Sequence, residues 1–311
     1  MSSLKKIAVM TSGGDSPGMN AFIRAATRHA LAQGLEVYGI NEGYQGMIEN
    51  NIFQMEYDTV CNIIQRGGTM LKTARSMEFK TPEGRAKAAA NLDALGIDAV
   101  ICCGGDGSYK GLHALANPED GAWDGLVIGT PGTIDNDIAH TDYTIGFDTA
   151  INTAMEAIDK LRDTGDSHDM HFIVEVMGRH CGDIAEAVGL ASGSNNVLVP
   201  GVDEDINVII DKIHDKGHDI IVVAEGDESG GGFGLAMRIN AALNQKQDYT
   251  KSKPNFRICV LGHIQRGGSP TARDRILADQ MAVKGVDSLI AGETLQAVAI
   301  QKEEYVLTAL K

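Results

Sequence analysis

The chain has 311 residues, enough for one large or two moderate domains around a substantial core. Its 27 Lys and Arg against 42 Asp and Glu give a formal net charge of −15, which argues against a general nucleic-acid or anionic-membrane surface. The N-terminus lacks the apolar centre of a signal peptide, no apolar run approaches a membrane span, and the five cysteines contain no CxxC pair, so a cytoplasmic protein with reduced thiols is expected.

Short Val/Ile-rich runs alternate with longer amphipathic stretches, the pattern of parallel sheets covered by helices on both faces. From the N-terminus, "KIAVMTS" (6–12) predicts a strand and residues 17–33 a helix. Between them "TSGGDSPGMN" supplies Gly13 and Gly14 for a tight turn, with Ser16 and Pro17 suited to the N-cap and first helical positions. A helix opening there presents free N–H groups to phosphate, although two glycines at such a turn are common without any ligand. A strand follows at 35–40, then "GGTMLKTARS" (67–76) with Arg75, then a helix over 83–95. The strand expected at 98–105 ends in "GGDGS" (104–108). Its backbone can cradle phosphates and Asp106 can hold a magnesium ion bound to them, or the acid simply belongs to a glycine turn. It matches neither the P-loop nor the dinucleotide glycine fingerprint.

The strand at 125–131 runs into "TPGTIDND" (130–137). In an extended segment Thr133, Asp135 and Asp137 share a face and Asn136 points away. The two acids then form a base of raised pKa, share a metal, or make a solvated turn. Helices are expected over 148–162, 182–192, 204–216, 231–244 and 271–290, and strands over 171–178, 196–201, 218–226 and 257–264. Three of these strands end in "EVMGRHCG" (175–182), "VAEGDESGGG" (223–232) and "LGHIQRGGSP" (261–270), bringing Arg179, Glu225, His263 and Arg266. Ligands of open α/β sheets collect beyond the carboxyl ends of the strands, and arginines there let an acidic chain hold phosphate. Trp123 is assigned to packing or to the surface.

The set "TSGGDSPGMNAFIR", "GGDGSYKG", "PGTIDNDI…TDYTIGFDTA", "VEVMGRHCGD" and "LGHIQRGGSPTARDRILA" covers essentially the whole chain and resembles the bacterial ATP-dependent 6-phosphofructokinase family. The resemblance implies an α/β fold of two Rossmann-like three-layer domains with mainly parallel sheets. A larger ATP-binding domain would take 1–145 and 264–311, and a smaller sugar-phosphate-binding domain 146–263. It implies a homotetramer, a dimer of dimers, that phosphorylates fructose 6-phosphate with ATP and Mg2+. Carried over by position, Gly14, Arg75, Ser76 and Gly105, Asp106, Gly107 and Ser108 form the ATP site, with Asp106 on magnesium. Asp135 is the catalytic base beside Thr133, Ile134 and Asp137, and Arg75 and Arg179 offset charge on the transferring group. Met177, Gly178, Arg179, Glu225, His263, Ile264, Gln265 and Arg266 surround the sugar phosphate, and Arg257 reaches that of a neighbouring subunit.

Arg24, Arg28, Arg162 and Lys216 match part of the family's effector site. The chain departs from the pattern at Met170, Asn51 and Asn195. Arginines are expected at the first two positions, and at the third an acid that holds the effector's magnesium. The family's pyrophosphate users carry a larger acid where Gly107 stands and a lysine where Gly132 stands. The alternatives are such a pyrophosphate-dependent enzyme or a non-catalytic sugar-phosphate or nucleotide sensor on the same fold.

Overall fold

The computed structural model describes residues 4–117, 119, 121–214, 218–245, 254 and 256–310. Its elements are β1 (Lys6–Ser12), α1 (Met19–Ala32), β2 (Glu36–Ile40), α2 (Gly43–Ile48), β3 (Ile52–Met55), α3 (Pro82–Leu95), β4 (Ala99–Gly104), α4 (Asp106–Ala116), β5 (Leu126–Pro131) and α5 (Phe147–His168). There follow β6 (His171–Val176), α6 (Asp183–Ser192), β7 (Asn196–Leu198), α7 (Ile206–Asp211), β8 (Ile220–Ala224), α8 (Gly231–Gln245), β9 (Phe256–Val260), α9 (Ala272–Ile290), β10 (Gln296–Gln301) and β11 (Glu304–Ala309).

The chain divides into two units. The first takes residues up to Ile134, then Ile138–Asp148 and everything from Arg266, and the second takes Asp135–Asp137 and Thr149–Gln265. In the first, a seven-stranded sheet runs β11-β10-β5-β4-β1-β2-β3, parallel except at the β2–β3 and β10–β11 edges. The period of two along β1 sets its two covering layers. Ile7 and Val9 face a cluster with Phe22, Ala26, Leu277 and Met281 of α1 and α9, while Ala8 and Met10 face one with Ala88, Leu92 and Leu112 of α3 and α4. Trp123 belongs to the second cluster, and its indole N–H donates to Asp93 at 2.9 Å.

Order along the sheet matters most for function. β1 lies between β2 and β4, so the chain winds away from it in both directions, the arrangement that opens a crevice at the carboxyl ends of the strands. The register puts Ser12 beside Gly104 and Gly104 beside Pro131, so the ends of β1, β4 and β5 form one row. The second unit repeats the device with four parallel strands ordered β7-β8-β6-β9. Val176 there pairs with Ala224, and Glu175 with Val260. One face of this sheet packs Ile173, Ile221 and Val223 against Ile209, Leu235 and Ile239 of α7 and α8.

Helix α1 begins at Met19, later than the expected 17, because Gly18 takes the N-cap position at φ 113. Ser16 does not cap it, its hydroxyl being buried without a partner among the described residues. Elements α2, α4, β3, β10 and β11 are additional to those expected from the sequence. Helix α5 extends to His168, beyond the expected 162.

At the amino end of β8, Asp219 is 1% exposed, with His171 Nδ1 at 2.8 Å and His214 Nδ1 at 2.6 Å from its carboxylate. Burial pushes its pKa up, but hydrogen bonds from His171 and His214 outweigh this and hold it below the ordinary 3.8. A depressed carboxyl contributes stability above its unfolded pKa and loses it as pH falls through the folded one. Wild type is therefore expected to lose stability more steeply than Asp219→Asn as pH drops from about 5 to about 2, by denaturant melts. Equal slopes would contradict the assignment.

Candidate active site

The first unit carries the loops that follow β1 and β4 and the turn after β5 as far as Ile134, while Asp135–Asp137 belong to the second. Gly13, at φ 86, makes the turn after β1, and Gly14 gives room to Arg266: a Cβ at Gly14 would lie 2.8 Å from Nη1. That guanidinium also donates to the Asp15 carbonyl at 3.2 Å, so Arg266 belongs with the β1 loop. At the end of β4, Gly105 is the N-cap of α4 and Asp106 its first residue. The helix N-terminus presents its free N–H groups beside an exposed carboxylate, which Lys110 meets one turn later at 2.5 Å. Ser108 Oγ is buried, with no partner among the described residues, and a Cβ at Gly13 would come within 3.5 Å of it. Tyr44 Oη donates to the Ser108 carbonyl at 2.5 Å and stacks on Phe79, which braces this loop from behind. Arg75 is exposed, whereas the half-buried Ser76 accepts from the Phe79 N–H at 3.1 Å, two residues ahead of a short 3-10 turn.

After β5, Gly132 N–H donates to the Gly104 carbonyl at 3.0 Å and Thr144 Oγ1 donates to the Thr133 carbonyl at 2.6 Å. Ile134 is fully buried, so it anchors the turn from inside and its side chain cannot line a sugar. The expected alternation fails at Asn136, whose backbone is left-handed at φ 57. Extended geometry therefore does not hold through Asp135 to Asp137, and the two acids differ in environment: Asp135 is half-buried and Asp137 exposed. They are not the symmetric pair that the spacing suggested.

The second unit contributes the loops after β6, β8 and β9. Gly178 sits at φ 134, with the Cys181 carbonyl packed where a Cβ would be, and the Arg179 backbone packs likewise on Gly226. These close approaches need glycine and leave Arg179 exposed beyond the strand end. Glu225, Arg257, His263 and Ile264 are also exposed, while Met177 is buried. Gln265 differs from expectation. It is fully buried, accepts from the Met177 N–H at 2.8 Å and donates toward the Ala150 carbonyl at 3.5 Å, so it supports the loop and does not face a substrate.

The proposed effector residues are distributed over both units. Arg24 and Arg28 lie on α1, Arg28 over the Tyr57 ring at 5.2 Å. Arg162, on α5, donates to the Ser192 and Gly193 carbonyls and to His218 Nε2 at 3.2 Å. Lys216 lies outside the described residues. Sequence reasoning missed the supporting groups Tyr44, Lys110, Asn136 and Asp183. Only Lys110 carried a readable signal, the i, i+4 spacing from Asp106.

The Phosphofructokinase family model matches residues 6–289. The chain belongs to the phosphofructokinase family. ATP-dependent 6-phosphofructokinases of Shouchella clausii and Bacillus subtilis are each 50% identical to it, over 97% of this chain and 92% of theirs. That of Macrococcus caseolyticus is 52% identical over 96% of this chain and 90% of its own. Among solved structures, phosphofructokinase from Saccharomyces cerevisiae superposes with a TM-score of 0.85 at 34% identity, and this chain spans 98% of itself but 45% of the yeast chain. A pyrophosphate-dependent phosphofructokinase from Marinobacter aquaeolei shares the fold, with a TM-score of 0.82 at 22% identity over 98% of this chain and 81% of that one. Phosphofructokinases that differ in phosphoryl donor thus share this architecture, and donor choice must rest on individual side chains. No helix among the described residues is long and apolar enough to cross a membrane.

Proposed function

We propose that this chain transfers the γ-phosphoryl group of ATP to the 1-hydroxyl of fructose 6-phosphate, giving fructose 1,6-bisphosphate and ADP. The observation that carries this reading is the row of strand ends at Ser12, Gly104 and Pro131, which aligns the phosphate-cradling loops with the turn that leads to Asp135. Asp135 accepts the hydroxyl proton, and Arg75 and Arg179 offset charge on the transferring group. Phosphoryl transfer needs mainly positioning and electrostatic stabilisation, which backbone donors at the start of α4 and exposed guanidiniums can supply. Asp106 fits Mg2+, which is usually held by one or two carboxylates with phosphate oxygens completing its shell. Bound there, the ion would neutralise charge on the β- and γ-phosphates. A homotetramer is the assembly that the exposed Arg257 on edge strand β9 would serve.

A panel of donors and acceptors, read by ADP release in a coupled assay, tests the reading. ADP should form only when ATP and fructose 6-phosphate are both present. Binding of both without turnover would favour the sensor.

Two departures from the family give further expectations. Met170 cannot donate to phosphate, and the adjacent His171 is 5% exposed and committed to Asp219, so it cannot stand in. A charge-assisted hydrogen bond contributes about 1.5–3 kcal/mol, so Met170→Arg is expected to lower the apparent KM for fructose 6-phosphate by about 10- to 100-fold. An unchanged KM would remove Met170 from the account.

Control by ADP or phosphoenolpyruvate is expected to be weak. Asn195 Oδ1 accepts from the Ile220 N–H at 3.0 Å, and Arg162 is occupied by the carboxyl end of α6. A phosphorylated effector must break those bonds, and it also lacks a basic residue at Asn51. Coupling cannot exceed the effector's differential affinity for two states, so weak binding caps regulation. Saturation curves for fructose 6-phosphate with and without about 1 mM effector should nearly coincide. A large shift abolished by Arg162→Ala would show a working site.

A further inference from the structure

Asn136 is the left-handed residue between Asp135 and Asp137, and its amide Nδ2 donates to Asp183 Oδ2 at 3.0 Å. The other oxygen, Asp183 Oδ1, accepts from the Cys181 thiol at 3.0 Å. Burial, with the Asp183 hydrogen bond, pushes that thiol up to about 11, so it stays protonated and remains a donor. Cys181 stands two residues beyond Arg179, and its carbonyl packs on Gly178. Asp183 itself is half-buried in the first turn of α6. One carboxylate thus grips both the turn that bears Asp135 and the loop that bears Arg179, and all of these residues lie in the second unit.

We propose that Asp183 is a positioning residue for phosphoryl transfer, fixing the left-handed turn at Asn136 so that Asp135 and Arg179 hold a set relation to the sugar hydroxyl. This rests on the function proposed above. Left-handed backbone is unfavourable for residues with a side chain, asparagine least so, and a tether holds it against relaxation. Asp183 touches no substrate, and its effect passes through Asn136 and Cys181.

The test compares Asp183→Ala, Asp183→Asn, Asn136→Gly and the double variant Asp183→Ala/Asn136→Gly in steady-state kinetics, with wild type and Asp135→Asn alongside. A misplacement of about 1 Å can cost on the order of 10²-fold in rate, so Asp183→Ala should lower kcat by roughly 10- to 100-fold. The KM for ATP should stay within about twofold, since the first unit carries that site. Asp183→Asn keeps a carbonyl acceptor for the Asn136 amide and should regain most of the rate. Asn136→Gly retains the left-handed backbone but loses the tether, and should fall as Asp183→Ala does, while the double variant should be no slower than either single one. Wild-type kcat in Asn136→Gly, or additive losses in the double variant, would overturn the proposal. So would a loss in Asp183→Ala that appears only as lower thermal stability or a raised KM for ATP. If Asp183→Ala does not fold, Asp183→Asn and Asn136→Gly decide alone. Absence of turnover in wild type would instead reject the proposed reaction.

Discussion

Asp135→Asn is expected to leave ATP binding near wild type and to lower kcat by about 10²–10⁴-fold, the usual worth of general-base assistance. Asp135 is half-buried and adjoins Asn136, whose amide donates to Asp183 at 3.0 Å, so it is pre-positioned in a way that an exposed acid such as Asp137 is not. Asparagine keeps the volume and one acceptor but cannot take a proton. The loss should therefore appear in kcat with fructose 6-phosphate, while the ATP dissociation constant, measured by titration without sugar, stays within about twofold. A variant retaining more than about half of wild-type turnover would remove Asp135 from the role of base.

ATP is expected to outperform pyrophosphate by at least about tenfold in kcat/KM, since one lost charge-assisted phosphate contact already accounts for that much. The two positions that the family's pyrophosphate users fill behave differently here. A Cβ at Gly107 would meet nothing within 4 Å, so a larger acid would enter open space, which the proposed function gives to the nucleotide. At Gly132 a Cβ would strike the sulfur of Cys103, which is fully buried, and would crowd Gly104 N and Met19 Cε at 3.2 Å each. Gly107→Asp alone should thus depress ATP use while the fold stays intact. Gly132→Lys should also destabilise the protein, by about 1–3 kcal/mol for overpacking, and Cys103→Ala should relieve part of that. Equal or better turnover with pyrophosphate at matched magnesium would overturn the assignment of donor.

How far the sequence is readable depends on whether a feature is local. Buried parallel strands announce themselves through runs such as "AVICC" and "IIVVA", because both faces are covered and no polar alternation interrupts them. Helix α4 is hidden, since Gly107 and Gly111 lie inside it and read as loop, yet Gly111 is required where Tyr44 packs against it. The β10–β11 hairpin is hidden for the opposite reason. Its turn takes positive φ at Lys302 and Glu303 (50° and 68°), with no glycine or asparagine to mark it. In the site, the residues that would meet ligand stand in short motifs and are legible one by one. Their supports are not: Gln265 looks like a contact residue and is an internal brace, and the bond from Asn136 to Asp183 spans 47 positions.

Trp123 is the chain's one tryptophan, and it is enclosed in the first unit with its indole bonded to Asp93. Intrinsic tryptophan emission therefore reports on the seven-stranded sheet's surroundings alone, and residues 149–265 contribute nothing to that signal. A melt followed by emission and one followed by far-ultraviolet circular dichroism sample different parts of the chain. Their midpoints coincide only if the two units unfold together, so the natural sequence already carries the optical label needed to ask whether they do.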